Sequence, residues 1–497
     1  MGSMKKKLFL NTIMSLALQM TAVICGFILP RQMLEYYGSE VNGLTQSISQ
    51  FLGVVSFLEL GVGQVIQSAL YKPLSDGDMV HVSQVLRSGT VYFRKLAITT
   101  VGYILLLGCV SPYIFDEGYG WLSMATLIVA MGANSLAQYY FGLIDSILLS
   151  ADQRGYVQYA TKIVVNILNV VIVTWMIQQG NTVQIVKIAS AAIFLLGPIL
   201  IRCYVKKKYR IDRKIVCEGE PIKQKWNGVA QHIATVVLEG TDVIILTVLS
   251  TLSDVSVYSV YYMVISGVRQ LYTAATAGVQ AMVGGLWAKG EIDRLENTFQ
   301  GIELVLHFAV VFLFSCIAIL IVPFVSVYTW GITDYNYIQP LFALILTVAY
   351  AIRCLRTPYN ILILAGGHYK QTQVCHIVAT ILNLVISVVG VLAWGLVGIA
   401  IGTLVAFAYQ TAWMMHYTSK NLLKWPLRKA IKQILVDILA VALIYVSTGW
   451  IDMGEMSYVG WFVMAVKVAG IALSIIAVLT VTFYFPQIKR LCWKGKQ

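Results

Sequence analysis

Long apolar stretches recur along the whole chain, and short polar segments separate them. An apolar helix needs about 20 residues to cross roughly 30 Å of hydrocarbon, so each stretch is predicted to be a membrane-spanning helix. The pattern predicts fourteen spans, at residues 8–34, 44–70, 91–111, 121–149, 158–177, 184–205, 229–250, 257–284, 302–327, 338–362, 372–393, 397–417, 431–448 and 458–484. The predicted fold class is therefore an all-α polytopic membrane protein.

The connections between these spans alternate in charge. Every second connection carries lysine or arginine, and the connections between them carry neither. Because basic residues beside a span mark its cytoplasmic side, and Lys5–Lys7 precede the first span, both ends of the chain are expected in the cytoplasm. One miscounted span would invert every later loop, so the unbroken alternation favours an even number of spans.

Composition supports the bilayer as the main solvent. Hydrophobic residues make up 58% of the chain and charged residues 12%, with mean hydropathy +0.75; soluble chains carry about 25% charged residues. The net charge of +13 lies in short loops beside the spans, which argues against nucleic-acid binding. The eight cysteines include no CxxC pair, so neither a disulfide framework nor a zinc site is predicted.

The two halves of the chain resemble each other at an offset near 214 residues. Gly38–Val41 aligns with Leu252–Val255, and Ile167–Ile172 aligns with Ile381–Ile386 at five of six positions. Six spans are an even number, so the repeats share one orientation and a pseudo-two-fold axis is expected along the membrane normal. The predicted domains are an N-terminal bundle, a basic cytoplasmic linker, a C-terminal bundle, and two extra helices with a tail, at residues 1–205, 206–228, 229–418 and 419–497. Two such bundles predict a central cleft and alternating access.

Ionisable side chains at membrane depth are costly and are the first candidates for function. Glu239 and Asp242 lie three residues apart in span 7 and share a helix face. One interpretation is that the two carboxylates share a proton and couple transport to a proton gradient. The other is that they pair with Arg269 or Arg353 and only compensate buried charge. Glu59, in the middle of span 2, either lines the cleft or bonds to a neighbouring helix.

Three arginines lie deep in the second half of the chain. Arg353 and Arg356 are three residues apart in span 10, and Arg269 lies near the middle of span 8. Guanidinium groups on one face bind a phosphate or diphosphate in a bidentate manner, which predicts an anionic ligand. The alternative is a structural ion-pair network with the carboxylates. No P-loop motif and no HExxH motif occurs, so neither ATP hydrolysis by a P-loop nor that type of zinc site is predicted.

The chain resembles the Wzx-like polysaccharide flippases of the multidrug/oligosaccharidyl-lipid/polysaccharide (MOP) exporter superfamily, in the form found in Gram-positive bacteria. The resemblance is densest in Gly26–Arg31, Tyr37–Leu44, Phe57–Gly63, Leu70–Leu74, Ala151–Tyr156 and Glu220–Gly228. It implies a MATE-like fold in the bacterial cytoplasmic membrane. It also implies a transporter, not an enzyme, that moves undecaprenyl-diphosphate-linked oligosaccharides to the outer leaflet for surface polysaccharide or capsule synthesis.

The deep charges of this chain, taken with the resemblance, give the expected roles of individual residues. Arg269, Arg353 and Arg356, with Arg31 in span 1, are expected to bind the diphosphate headgroup, and Glu59, Glu239 and Asp242 to serve in coupling or ion pairing. An ion gradient (Na⁺ or H⁺) or the membrane potential would drive transport, with no other cofactor. The expected partners are the lipid-linked substrate, membrane lipids, and envelope polymerases or glycosyltransferases, with the chain itself a monomer. A MATE-type drug or cation antiporter and a teichoic-acid precursor flippase are the alternatives.

Overall fold

The computed structural model describes residues 2–59, 62–115, 118, 120–213, 215, 229–423 and 427–494. These residues form α-helices and no β-strand. The sixteen α-helices in this part of the chain are α1 Gly2–Gly53, α2 Val62–Asp76, α3 Met79–Ile114, α4 Trp121–Ala137, α5 Leu143–Ala151, α6 Gly155–Gln178, α7 Val183–Lys208, α8 Val229–Leu249, α9 Leu252–Ala288, α10 Ile292–Tyr328, α11 Pro340–Leu355, α12 Thr357–Ala365, α13 Tyr369–Trp394, α14 Leu396–Asn421, α15 Leu427–Thr448 and α16 Tyr458–Lys494.

Helix interruptions reconcile these sixteen helices with the fourteen predicted spans. The first two spans meet inside α1 at Gly38, whose φ of 83° falls in the left-handed region that favours glycine. A 3₁₀ segment, Val54–Glu59, continues span 2 towards α2, and a π-helical segment, Gln138–Gly142, joins α4 to α5. Eleven helical stretches of the described residues are long and apolar enough to cross a membrane. The prediction of an all-α, multi-pass membrane fold is confirmed.

The chain divides into two compact units. The first comprises Met1–Val236 with Thr251–Ser256, and the second comprises Val237–Ser250 with Val257–Gln497. The predicted four-part division stays a prediction. Most of its basic linker, residues 214 and 216–228, lies outside the described residues.

Close packing in the first unit joins the two turns that the sequence repeat aligned. Asn42 Nδ2 donates a 2.7 Å hydrogen bond to Ser256 Oγ, and the two residues are 214 positions apart, the offset of the repeat. Gly43 lies against the backbone of Leu252, where a Cβ would be 1.7 Å from the carbonyl oxygen. Only glycine therefore fits at position 43.

In the second unit, small residues bring α13 and α14 together. A Cβ on Gly398 would lie 2.0 Å from the backbone of Gly390, and a Cβ on Gly402 would lie 2.1 Å from Ser387 Oγ. Small residues let membrane helices approach closely and bring polar groups within hydrogen-bonding distance. Asn383 of α13 accordingly donates a 3.2 Å hydrogen bond to Thr403 of α14.

Candidate functional site

The deep arginines converge at the junction between α11 and α12. Pro358 lacks an amide hydrogen, so the carbonyl of Cys354, one helical turn earlier, loses its usual partner. The hydroxyl of Tyr272 on α9 donates a 3.0 Å hydrogen bond to that carbonyl. The proline thus interrupts the span where Arg353 and Arg356 lie, and the tyrosine ties that point to the helix that carries Arg269.

Glu239 is the carboxylate at the centre of this cluster. Its Oε1 accepts a hydrogen bond from Arg353 Nη2, and its Oε2 lies 3.6 Å from Arg269 Nη1. The side chains of Glu239, Arg353 and Arg269 are 29%, 12% and 20% exposed respectively. This geometry matches the interpretation in which Glu239 pairs with Arg269 or Arg353. Both arginines contact the carboxylate.

The cluster carries more positive than negative charge. Arg356 is close enough to influence Glu239 electrostatically, yet it forms no ion pair within the part of the chain that is described. Two guanidinium groups thus share one carboxylate, and a third cation lies in the same cluster. Tyr350 lies beneath two of them, with its ring centroid 5.9 Å from Arg269 Cζ and 5.9 Å from Arg353 Cζ. Such aromatic contacts stabilise desolvated cations without neutralising them.

Asp242 has different surroundings, although it lies only one helical turn from Glu239. It is 3% exposed and accepts hydrogen bonds from Tyr258 Oη at 2.9 Å and Thr403 Oγ1 at 2.8 Å. Its Oδ1 has no hydrogen-bond partner among the described residues. The two carboxylates therefore have separate partners, and the hydroxyl oxygens beside Asp242 are of the type that interacts with a proton or a small hard cation.

Sequence reasoning missed the neutral partners of Asp242. Thr403, which donates to Asp242, and Asn383, which donates to Thr403, carry no charge and lie within apolar runs, so composition does not single them out. Asn383 did lie in the repeated segment Ile381–Ile386, so the repeat was the available signal. Across the described ranges, no group of three or more His, Cys, Asp or Glu side chains is placed to hold a metal ion.

The remaining two predicted site residues, Arg31 and Glu59, belong to the first unit. Arg31 Nε lies 3.7 Å from Glu35 Oε2, one helical turn away. Glu59 ends the 3₁₀ segment, interacts with the hydroxyl of Tyr139, and lines a cavity of about 400 Å³. Sequence reasoning gave no role to the neutral residues around that cavity.

A separate buried pair links the appended helix α15 to α10 within the second unit. His307 Nδ1 and Asp437 Oδ2 are 2.6 Å apart, and Gln433 Nε2 donates a 2.9 Å hydrogen bond to Asp437 Oδ1. Tyr359 donates a hydrogen bond to the neighbouring carboxylate of Glu303. These hydrogen bonds hold α10, α12 and α15 together, and His307 Nε2 has no partner among the described residues.

No family model matches the chain, and no curated protein matches it. Among solved structures, its fold is similar to the lipid II flippase MurJ in an inward closed conformation, with TM-score 0.72, 14% identity, and 97% of this chain and 100% of that chain covered. It is also similar to an inward-facing MATE-family multidrug transporter of the MOP superfamily, with TM-score 0.57, 12% identity, and coverage of 82% and 98%. A ligand complex of the MATE multidrug transporter DinF-BH gives TM-score 0.59, 13% identity, and coverage of 83% and 96%. At these identities the likeness establishes the fold.

Proposed function

We propose that this protein is an alternating-access flippase that moves undecaprenyl-diphosphate-linked oligosaccharides across the bacterial cytoplasmic membrane. The observation that carries the proposal is the excess of positive charge around Glu239. Uncompensated charge at membrane depth is costly unless a ligand or partner of opposite charge offsets it. A lipid diphosphate supplies negative oxygens to the site while its hydrocarbon tail stays in the bilayer.

Arg269, Arg353 and Arg356 bind the diphosphate in this proposal. Planar guanidinium groups form paired hydrogen bonds with phosphate oxygens, and Tyr350 holds two of them in place before the ligand arrives. Glu239 occupies part of the site in the absence of substrate and is displaced as the diphosphate enters. Arg31, which pairs with Glu35 in the first unit, stays a predicted headgroup residue.

Asp242 and Glu59 couple the movement to an ion gradient. The buried oxygens around Asp242 bind Na⁺ or a proton, and a change in its charge alters the hydrogen bonds that join α8, α9 and α14. The bundles 1–205 and 229–418 then rock as the moving parts, which is the usual arrangement in transporters built from repeats.

The extent of the structural likeness favours a lipid-linked substrate over a drug. The MurJ structure covers 97% of this chain, whereas the two MATE structures cover 82% and 83%. The share missing from the MATE matches is about the share of residues 419–497, the two helices outside the repeat. Three arginines around one carboxylate also oppose the binding of a cationic drug.

Reconstituted vesicles test the proposal directly. Labelled undecaprenyl-diphosphate oligosaccharide is followed between leaflets for the wild-type chain, for Arg269→Ala and for Arg356→Ala, with imposed Na⁺, pH or potential gradients. We expect both variants to lose transport by at least about tenfold, the equivalent of one lost charge-assisted contact. Arg294→Ala is the matched control, because its pair with Glu291 is exposed.

Two outcomes contradict this function. Wild-type rates in both arginine variants overturn the assignment of the diphosphate site. Gradient-driven export of a cationic dye such as ethidium, with no movement of the lipid-linked oligosaccharide, instead supports a MATE-type antiporter. Replacing the oligosaccharide lipid by a teichoic-acid precursor in the same assay distinguishes the two polymer pathways.

A further inference from the structure

The first unit contains a polar cavity of about 400 Å³ that lies apart from the arginine cluster in the chain. It is lined by Glu59, α2, the end of α4 with its π-helical segment, α5, α6 and α7. Its volume falls within the range typical of small-molecule sites, roughly 300–1,000 Å³. A cavity of this size among membrane helices is large enough to hold a small ligand.

The side chains around the cavity are unusually rich in carboxamides. Six of them line it: Gln64, Gln67, Asn134, Gln138, Gln158 and Asn166. A carboxamide both donates and accepts hydrogen bonds, which matches the alternating hydroxyl and ring oxygens of a sugar. The ionisable lining residues, Glu59 and Lys162, carry opposite formal charges, so the cavity has no net charge to attract an ion. The chemistry suits a neutral, polyhydroxylated ligand.

The cavity wall is held in place by its own hydrogen bonds. Gln158 Nε2 donates to Ser146 O at 2.8 Å and to Ser150 Oγ at 2.7 Å, which fixes that side chain. Asn134 Oδ1 is buried and has no hydrogen-bond partner among the described residues. A buried acceptor without a donor costs about 1–3 kcal/mol, and a small side-chain rotation of Asn134 would let a ligand hydroxyl offset that cost.

The π-helical segment shapes one side of the cavity. Such segments are rare and often occur at functional sites, because the extra residue changes where neighbouring side chains point. Here Gln138 lines the cavity, while Tyr139, 9% exposed, contacts Glu59. Gly142 closes the segment against Pro198, whose Cβ would lie 3.0 Å from a Cβ at this position. The bulge therefore aims one carboxamide into the cavity and anchors the carboxylate beside it.

We infer that this cavity binds an uncharged sugar residue of the lipid-linked substrate. The inference rests on the proposed flippase function, in which the arginine cluster of the second unit takes the diphosphate. The cavity reaches Ser150, one residue before the end of α5. The 152–154 connection that follows contains Arg154, and the charge pattern places it in the cytoplasm. A sugar site near that side receives the substrate where it is loaded.

Binding measurements on the full chain test the inference. Native mass spectrometry compares the affinities for undecaprenyl diphosphate and for the same lipid carrying one N-acetylhexosamine, in wild type and in Asn134→Leu/Gln138→Leu. We expect the sugar to raise wild-type affinity about tenfold, roughly the effect of one or two net hydrogen bonds. The double variant should lose that gain and keep its affinity for the bare lipid. Gln178→Leu, an exposed carboxamide outside the cavity, is the control and should keep the gain.

An equal sugar gain in wild type and in the double variant overturns the inference; a polar channel that only conducts protons gives this result. If wild type binds neither lipid, the proposed function fails, and soluble methyl glycosides of hexoses and N-acetylhexosamines then decide the sugar site alone. A rise in melting temperature with a methyl glycoside that the double variant lacks supports the site. No rise with any of them overturns it.

Discussion

The two polar regions of this protein accommodate buried polar groups among membrane helices in different ways. In the second unit, Arg353, Arg269 and Glu239 compensate one another through ion pairs, and an excess of positive charge remains. In the first unit, neutral carboxamides such as Asn134 and Gln158 line a cavity, and part of their hydrogen-bonding capacity stays unused. The first arrangement attracts anions over a distance. The second discriminates among neutral ligands at contact.

The two kinds of region differ in how strongly they hold a ligand. Charge-assisted hydrogen bonds are roughly twice as strong as neutral ones, so the diphosphate supplies most of the binding. Neutral hydrogen bonds contribute only about 1 kcal/mol each, which suits a site that must also release its sugar.

Glu239→Gln should have the largest effect. It leaves Arg353 and Arg269 without a carboxylate at membrane depth, and breaking a buried ion pair costs about 3–5 kcal/mol. We expect a clear fall in the melting temperature of the detergent-solubilised protein, partly reversed by pyrophosphate, which binds the freed arginines. Glu291→Gln is the control, since Arg294 in that pair is 73% exposed and surface pairs contribute about 1 kcal/mol or less. Equal melting temperatures in the two variants would contradict the assigned role of Glu239.

Asp242→Asn should have an intermediate effect that concerns transport more than stability. Asparagine is of similar size and still accepts a hydrogen bond from Tyr258 or Thr403, but it cannot change charge. We expect lipid transport to lose its dependence on the imposed Na⁺ or pH gradient while the protein keeps its melting temperature within a few degrees. The control is Asp452→Asn, an exposed carboxylate beyond the end of α15. Unchanged gradient dependence in Asp242→Asn would remove Asp242 from the coupling mechanism.

Asp152→Asn should have the smallest effect, and its effect should depend on pH. Burial by itself raises the pKa of Asp152, but hydrogen bonds from Tyr209, Arg154 and Lys7 outweigh burial and lower the pKa below its ordinary value. A carboxyl group whose pKa is lower in the folded state stabilises the fold above its unfolded pKa of about 3.9, and the stabilisation is lost as pH falls through the folded value.

At pH 7 the Asp152→Asn variant should therefore be less stable than wild type by about 1 kcal/mol, measured from thermal unfolding at a series of pH values. The difference should shrink below about pH 4, where protonation of Asp152 removes the same interactions from wild type. Asp76→Asn, an exposed carboxylate at the end of α2, should differ little from wild type throughout. A pH-independent difference for Asp152→Asn would mean that the charge of Asp152 is not involved.

Some features of this protein could be predicted from its sequence, and others could not. The apolar stretches predicted the helices closely, because a spanning segment must satisfy its own backbone and must be about 20 residues long. The deep charges were equally visible, since Arg269, Arg353 and Glu239 interrupt apolar runs. Two interpretations of Glu239 remained open, because spacing within one helix does not say which residue of another helix lies opposite.

The neutral groups were harder to predict for the same reason. Thr403 reaches Asp242 across 161 positions of sequence, and it does so because small residues such as Gly398 and Gly402 let α13 and α14 pack closely. The π-helical segment that directs Gln138 into the cavity has no signature in the apolar pattern. Threonine, asparagine and glutamine occur in many membrane helices without consequence, so composition alone gives them no role.

The number of membrane helices, the all-α class and the set of buried charges follow from the amino-acid sequence alone, because the bilayer imposes these requirements on each segment separately. Which buried groups meet depends on how the helices pack. Glu239 contacts two arginines, Asp242 accepts hydrogen bonds from two hydroxyl groups, and six carboxamide side chains line one cavity. These contacts join helices far apart in the chain, and their geometry depends on helix interruptions and on the close approach of small residues, which no single segment encodes.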